Sequence, residues 1–409
     1  MFSKLRTPTA EGYSPLFFLS ALGAGGLSVS FFMYLMFWVP HPNSPIPTFS
    51  HVAALLTNGP LWLQISAVLA IIGILWFGIT HFRLLAWNLK SLARFKQTGA
   101  FRNLKASNGE TQLMAIPLTL GMTVNVAFIF GAVFVPGLWS VKEFLFPGAL
   151  LAFGAIGWLA FRTYLDFFSR VLAEGGFDCT KNNNLSQILP AFAFAMIGVG
   201  FAASAAMSSL AVTVVLGMIG AIFFFVTAII LAVIKLVLGF RAMFEHGAAA
   251  EGLPTLLVMI PIMTLVGIGL LRIDHGTHAL EGYAHGSANF LWLTALVGIQ
   301  AMFAILGLAV KKRMKYFETF VYGEAKSPAS FALICPGVAG FVLGAFWINA
   351  GLLPVMPADV FSKFDIAYFV LYIPLIYLQY KTIRVFGLLN RKLLSGGDHS
   401  EIAPQHNAA

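Results

Sequence analysis

Apolar residues along this chain gather into ten runs separated by short polar connections, and most runs reach the roughly 20 residues needed to cross a bilayer's hydrocarbon core. Their limits are 14 to 39, 61 to 82, 113 to 135, 144 to 168, 185 to 207, 210 to 236, 253 to 271, 290 to 310, 329 to 353 and 360 to 383. The last is the least apolar, since Lys363 and Asp365 leave an uninterrupted run only from Ile366 to Tyr380. An even number of crossings puts both termini on one side. The odd-numbered runs form a class of their own, rich in small residues and broken by proline. They read SPLFFLSALGAGGLS from Ser14, LMAIPLTLGMTVNVAF from Leu113, ILPAFAFAMIGVGFAAS from Ile188, LPTLLVMIPIMTLVGIGL from Leu253 and SPASFALICPGVAGFVLGAFW from Ser327. Proline removes a backbone hydrogen bond and kinks a membrane helix, which is tolerated mainly where protein or a water-filled path surrounds the break. Glycine lets backbones approach closely or leaves room beside a path.

This alternation predicts an all-α integral membrane protein. Ten transmembrane helices form five hairpins around a central pore, with the odd-numbered, proline-kinked helices inside and the even-numbered ones as an outer wall. Pro117, Pro190, Pro254 and Pro328 follow one another at 73, 64 and 74 residues, while Pro15 stands 102 residues before Pro117 because the second connection is long. Such a repeat suits a closed ring. No linker divides the chain, so residues 1–13 are read as an N-terminal segment, 14–383 as one membrane domain and 384–409 as a C-terminal tail. The expected function is solute passage, not enzymatic chemistry, and no cofactor is expected.

Composition agrees, with 59% hydrophobic and 10% charged residues against about 25% charged in soluble domains. The first run follows Lys4 and Arg6 as a signal peptide would, but its apolar stretch is much longer than the ~7–15 residues of that kind of segment. It is read as a retained first span. Of the 25 Lys and Arg residues, 22 fall on the side of the two termini, and only Lys142, Arg272 and Lys363 fall on the other. The positive-inside rule then makes both termini cytoplasmic. The net charge of +9 is an orientation signal, and nucleic acid is not an expected partner. In the connection from Arg83 to Thr111, RLLAWNLKSLARFK interleaves apolar and basic residues, as in an extension of the second helix or a helix lying on the membrane surface.

Ionisable groups inside a bilayer are costly and usually functional, yet the cores of the five proline-bearing runs contain none. Asp166, between Arg162 and Arg170 at four-residue spacing, forms an expected ion-pair cluster on one helix face at the cytoplasmic mouth. Lys235 snorkels toward headgroups. The external stretch RIDHGTHALEGYAHGSAN places Asp274, His275, His278, Glu281 and His285 within twelve residues. These are metal-ligand types and pH-sensitive groups, with His41 and His51 in another external loop. Their spacing matches no tight metal motif, so the stretch is read as an ordinary polar loop and no metal is expected. Cys179 and Cys335 are too few for a disulfide framework.

Cys335-Pro336-Gly337 is the sharpest local feature. Eight residues past Ser327, Cys335 lies on the order of 12 Å into a core about 30 Å thick. Pro336 breaks the bond to the Ala332 carbonyl and Gly337 leaves the break unshielded, so the cysteine, as a neutral thiol, belongs where the ninth helix bends toward the conduit. Packing, constriction of the pore and redox chemistry all remain open to it. Phe18, Phe128, Phe194, Phe331 and Phe341 lie in the proline-bearing runs, where one or two phenylalanines can gate a path by dewetting. Pro117, Pro190 and Pro261 complete the expected pore set.

Ten spans, both ends inside and prolines in the odd-numbered helices together resemble the TehA family of tellurite-resistance and dicarboxylate transporters, which includes the plant slow anion channels. The family's usual Phe-Pro pair in the ninth span, whose phenylalanine plugs the pore, looks like Cys335-Pro336 here, which leaves Phe341 or Phe331 to serve as plug. A cysteine at this place also resembles the TsoY-like (seleno)protein branch. The resemblance implies a homotrimer in a bacterial inner membrane, a pore in each protomer, and passage of small inorganic or organic anions. The alternatives are a membrane thiol protein handling sulfur, selenium or tellurium compounds through Cys335, and a proton-coupled exporter.

Overall fold

The computed structural model describes residues 5–6, 8–42, 44–175, 177–180, 182–281 and 287–395, with the side chains of 278–281 and 287–288 outside the description. Among the described residues, ten helices are long and apolar enough to cross a membrane. In chain order they are α1 (Pro15–Trp38), α2 (Leu61–Phe95), α3 (Asn108–Phe134), α4 (Leu138–Glu174), α5 (Ser186–Met207), α6 (Ala211–His246), α7 (Leu253–Thr277), α8 (Asn289–Arg313), α9 (Pro328–Leu352) and α10 (Ile366–Leu394). The protein is a multi-pass, all-α membrane protein.

The odd-numbered helices form a closed inner ring: α1 packs on α3, α3 on α5, α5 on α7, α7 on α9, and α9 back on α1. Each also packs on the helix that follows it, which gives five hairpins. Burial separates the classes, since 83, 50, 83, 67 and 67% of the most apolar stretch of α1, α3, α5, α7 and α9 is buried, against 22 to 44% in the even-numbered helices. Outward-facing Leu69, Ile72, Leu151, Trp158, Ile222 and Ile305 are exposed, as an apolar belt against lipid requires. Glycine makes the ring close: a Cβ on Gly23 would lie 2.9 Å from Ile334 of α9, and one on Gly25 would lie 2.8 Å from His81 of α2.

The proline breaks take one repeated form. Every inner helix opens with a 3₁₀ turn, at Pro15–Phe17, Asn108–Met114, Ser186–Ile188, Leu253–Leu257 and Pro328–Leu333, before the α-helix proper begins. Pro117, Pro190, Pro261 and Pro336 fall within the first three residues of the α-helical part. An N–H has no helical partner there, so proline costs little and its fixed φ suits the start of a helix. Prolines deep inside an α-helix occur instead in the outer helices, as Pro147 of α4 and Pro374 of α10.

The first and last described residues lie on the same side, where the Arg6 amide donates to the Leu394 carbonyl at 2.8 Å. That side is called the basic side below. The amphipathic connection proves to be an extension of α2 to Phe95, followed by a short helix Gly99–Lys105. The tenth span starts later and ends later than its hydropathy suggested, beginning after Asp365 and continuing through Leu394 into the expected tail.

Candidate functional site: two cavities and the collar between them

Two cavities lie within the inner ring. The first, of ≈ 180 Å³, is on the basic side and takes wall residues from the opening 3₁₀ turn of every inner helix: Leu16, Gln112, Gln187, Thr255 and Ala329. The second, of ≈ 160 Å³, is lined by the later turns of the same helices, including Gly26, Asn125, Met196, Ile268 and Val342. Either is roomy enough for several waters or a small solute, since one water needs only about 10–15 Å³ of this kind of space.

Three residues line both cavities: Phe192 of α5, Pro261 of α7 and Cys335 of α9. They form an apolar collar. In α1 the boundary falls between Leu19, on the basic-side cavity, and Leu22, on the opposite one. One stripe of α5, Leu189, Phe192, Met196, Val199 and Ala203, runs along both cavities at three- and four-residue spacing, as one helical face must. Cys335 carries a free, buried thiol.

The charges are few and placed differently in the two cavities. Arg272 is the one ionisable side chain among the lining residues of the opposite cavity besides the Cys335 thiol. It donates from Nη1 to the Val199 carbonyl at 3.0 Å, and no carboxylate among the described residues pairs with it. Glu251 stands exposed at the rim of the basic-side cavity as the only acid among the described residues of its wall. Partial desolvation there raises its carboxyl above the usual range. Gln187 donates from Nε2 to the Asn108 carbonyl at 2.8 Å, leaving its buried Oε1, like Oδ1 of Asn182, without a donor among the described residues. Both residues line the same cavity. Five helix N-termini open toward it, each with partial positive charge from amides that the helix cannot satisfy.

Several sequence expectations require correction. Phe18, Phe194, Phe331 and Phe341 are fully buried and line neither cavity. Phe194 turns outward from the ring onto Phe161 of α4, with ring centroids 4.6 Å apart. Phe331 packs on Phe17, and Phe341 on Tyr34. Phe128 does line the opposite cavity. Pro117 and Pro190 are buried away from both spaces, whereas Pro336 lines the basic-side cavity. Gly337 faces α10, where a Cβ would overlap Thr382.

The expected Arg162–Asp166–Arg170 cluster does not form. Arg170 reaches instead to Glu110 of α3 at 2.9 Å, and Lys105 approaches the same carboxylate at 3.5 Å. Glu110 is only 3% exposed, and a desolvated carboxylate attracts a cation more strongly than exposed Asp166 does. Asp166 and Arg162 are exposed and make no ion pair among the described residues. Lys235 is buried under Phe167, Phe168 and Phe177 at 5.1 to 6.0 Å from the ring centroids, rather than snorkelling freely. His41 and His51 sit edge to face at 6.2 Å. Of the histidine-rich stretch, Asp274 and His275 are in α7, while the side chains of His278 and Glu281 and all of His285 lie outside the described residues.

Comparison with family models, with curated proteins and with solved structures finds no match. Ten apolar helices closed around two cavities have the build of a membrane transport protein.

Sequence reasoning missed Phe192, Arg272 and Glu251. The α5 stripe carries Phe192 at a readable spacing, but every face of that helix is apolar, so nothing in the pattern prefers Phe192 to Phe194. Arg272 follows the apolar run directly and reads as a loop residue.

Proposed function

We propose that this protein passes small anions across the membrane, as a channel or uncoupled transporter, along the line of the two cavities. The carrying observation is Arg272, a cation without a carboxylate partner among the described residues, in the wall of an otherwise mainly apolar cavity beyond the collar. A monovalent anion 4 Å from a guanidinium gains about 4 kcal/mol at an effective dielectric near 20, which offsets part of the cost of shedding water. On the basic side the converging helix N-termini favour an anion in the same sense. The collar of Phe192, Pro261 and Cys335 offers no polar side chain other than the thiol, so it is the barrier: an ion crosses when the space between these groups opens enough to hold water.

In this reading the basic side is cytoplasmic, by the positive-inside rule, and the membrane is a bacterial inner membrane. Resemblance to the TehA and slow anion channel family, homotrimeric assembly with one path per protomer, and the absence of enzymatic chemistry belong to the same proposal. The departure at Cys335-Pro336 is met by Phe192, which supplies the aromatic group of the collar from α5 in place of α9.

Purified protein in liposomes tests this by ion replacement. Flux of chloride, nitrate or a small carboxylate should follow its electrochemical gradient and persist when a proton gradient is collapsed at fixed voltage. Cation flux with anions excluded, or strict dependence on the proton gradient, would overturn it.

A second reading rests on one observation, that the Cys335 thiol borders both cavities. A protein handling sulfur, selenium or tellurium compounds would need a thiol reachable from a solute path. In that case loss of the thiol, rather than a change of side-chain size, would abolish function.

A further inference from the structure

A third cavity, of ≈ 470 Å³, lies at the basic side away from the ring, where three separate parts of the chain meet. Arg6 comes from the N-terminal segment, Lys326 from the connection before α9, and Arg391 and Lys392 from the last turns of α10. Glu324 is the one acid among the described residues of its wall. The framework is built, not incidental. Leu5 pairs with Ser395 in an antiparallel bridge, the Arg6 amide donates to the Leu394 carbonyl, and Trp87 Nε1 donates to the Arg6 carbonyl at 2.9 Å. Lys392 Nζ donates to the carbonyls of Phe320 (2.9 Å), within a π-helical turn at Phe317–Val321, and of Gly323 (2.6 Å), just after it. Those carbonyls orient Lys392 without neutralising it.

Topology alone explains basic residues on this side, but it does not explain four of them around one concavity with a single carboxylate. Among the described residues of the wall, four cations stand around one acid. Cations gathered around one concavity attract an anion into it. Tyr322, 58% exposed, and Leu388 stand in the same wall, giving the cleft an amphipathic edge of the kind found at headgroup level.

We infer that this cleft binds a phosphate group, either the headgroup of an anionic phospholipid or a free phosphate, through Arg6, Lys326, Arg391 and Lys392. Arginine offers paired donors to phosphate oxygens and lysine a point charge. The site is independent of the conduction path and of what passes along it.

The test uses the full chain in nanodiscs of neutral phosphatidylcholine, with phosphatidylglycerol or inorganic phosphate added in separate arms. Bound phospholipid is read by native mass spectrometry and stabilisation by the melting midpoint. The wild type should bind one of the two ligands, and the double variant Arg6→Gln, Arg391→Gln should bind it roughly thirtyfold more weakly, given the usual contribution of each basic side chain near an anionic surface. Both substitutions leave the backbone bonds of Arg6 and Leu394 intact, and an unchanged midpoint in neutral lipid shows that the variant is folded. A second variant, Lys90→Gln with Arg94→Gln, removes equal charge from exposed positions of α2 and should bind as the wild type does. Response to phosphatidylglycerol alone identifies a lipid site, and an equal response to inorganic phosphate identifies a soluble ligand. The inference is overturned if neither ligand binds, or if the two double variants lose binding equally, which would mark general surface attraction.

Discussion

Phe192 and Cys335, on α5 and α9, each border both cavities of the inner ring. Two helices that are far apart in sequence thus supply the aromatic and the thiol that separate the two spaces. Phe194, two residues along, is about 200° around the helix from Phe192 and belongs to the packing between α5 and α4.

That difference is testable. Phe192→Ala should raise anion flux severalfold while costing little stability, because its side chain borders open space on two sides. Phe194→Ala should leave flux per folded molecule unchanged and destabilise the protein by about 3–5 kcal/mol, the usual loss for a phenylalanine removed from a core. Parallel liposome flux and thermal unfolding separate the two. Equal flux changes in both variants would contradict the assignment of the collar.

Cys335→Ala should raise conductance modestly by widening the collar, and Cys335→Phe should lower it strongly by filling both edges. Loss of function in both, together with inactivation by a small membrane-permeant alkylating reagent, would favour the thiol-chemistry reading. Unchanged flux in both would remove Cys335 from the barrier altogether.

Arg272→Gln should reduce anion flux by roughly tenfold or more, since a charge focused in a low-dielectric cleft raises local ion concentration by at least that factor. Arg272→Lys should retain part of it. Current reversal potentials in mixed-ion gradients provide the measurement, and anion selectivity undiminished in Arg272→Gln would count against the proposed role.

Glu251 gives a pH dependence of definite sign. Its carboxyl is raised by desolvation, so on acidification it loses its negative charge at a higher pH than an ordinary glutamate does. Lowering pH on the basic side should therefore increase anion flux as the rim loses its repulsion. Glu251→Gln should show the higher flux at all pH values, with that pH step removed. The stability linkage runs the same way: a carboxyl with a raised folded pKa costs stability as pH rises through that value, so the variant should also be slightly more stable at neutral pH.

Lys311, near the end of α8, is fully buried, and its Nζ has no hydrogen-bond partner among the described residues. Burying an uncompensated ammonium costs several kcal/mol, and methionine has nearly the same shape without that penalty. Lys311→Met should raise the melting midpoint by several degrees. A fall in midpoint would show that the lysine contributes an interaction of its own.

Hydropathy made the ten crossings legible because lipid imposes one requirement on every membrane helix, an apolar run of sufficient length. The inner and outer classes were legible too. Small residues and the prolines near a helix start concentrate in α1, α3, α5, α7 and α9, where backbones must approach and where each helix opens with a 3₁₀ turn, while Pro147 and Pro374 lie inside outer helices. Outer boundaries were less so, since Lys381, Arg384, Arg391 and Lys392 continue α10 past the apolar run; helix propensity does not end where hydropathy does.

What the sequence by itself determined, then, was the ring: length, apolarity and the alternation of two helix types are properties of each segment alone. Only the tertiary structure decided which side chains face the path. The inner helices are apolar on every side, so no periodicity distinguishes the face of Phe192 from that of Phe194, or the cavity wall at Cys335 from the α10 contact at Gly337. Charge pairing was equally non-local. Arg170 was within reach of Asp166 along one helix, yet Glu110, sixty residues earlier in the chain, holds it, because burial strengthens an ion pair and burial is a property of the assembled fold.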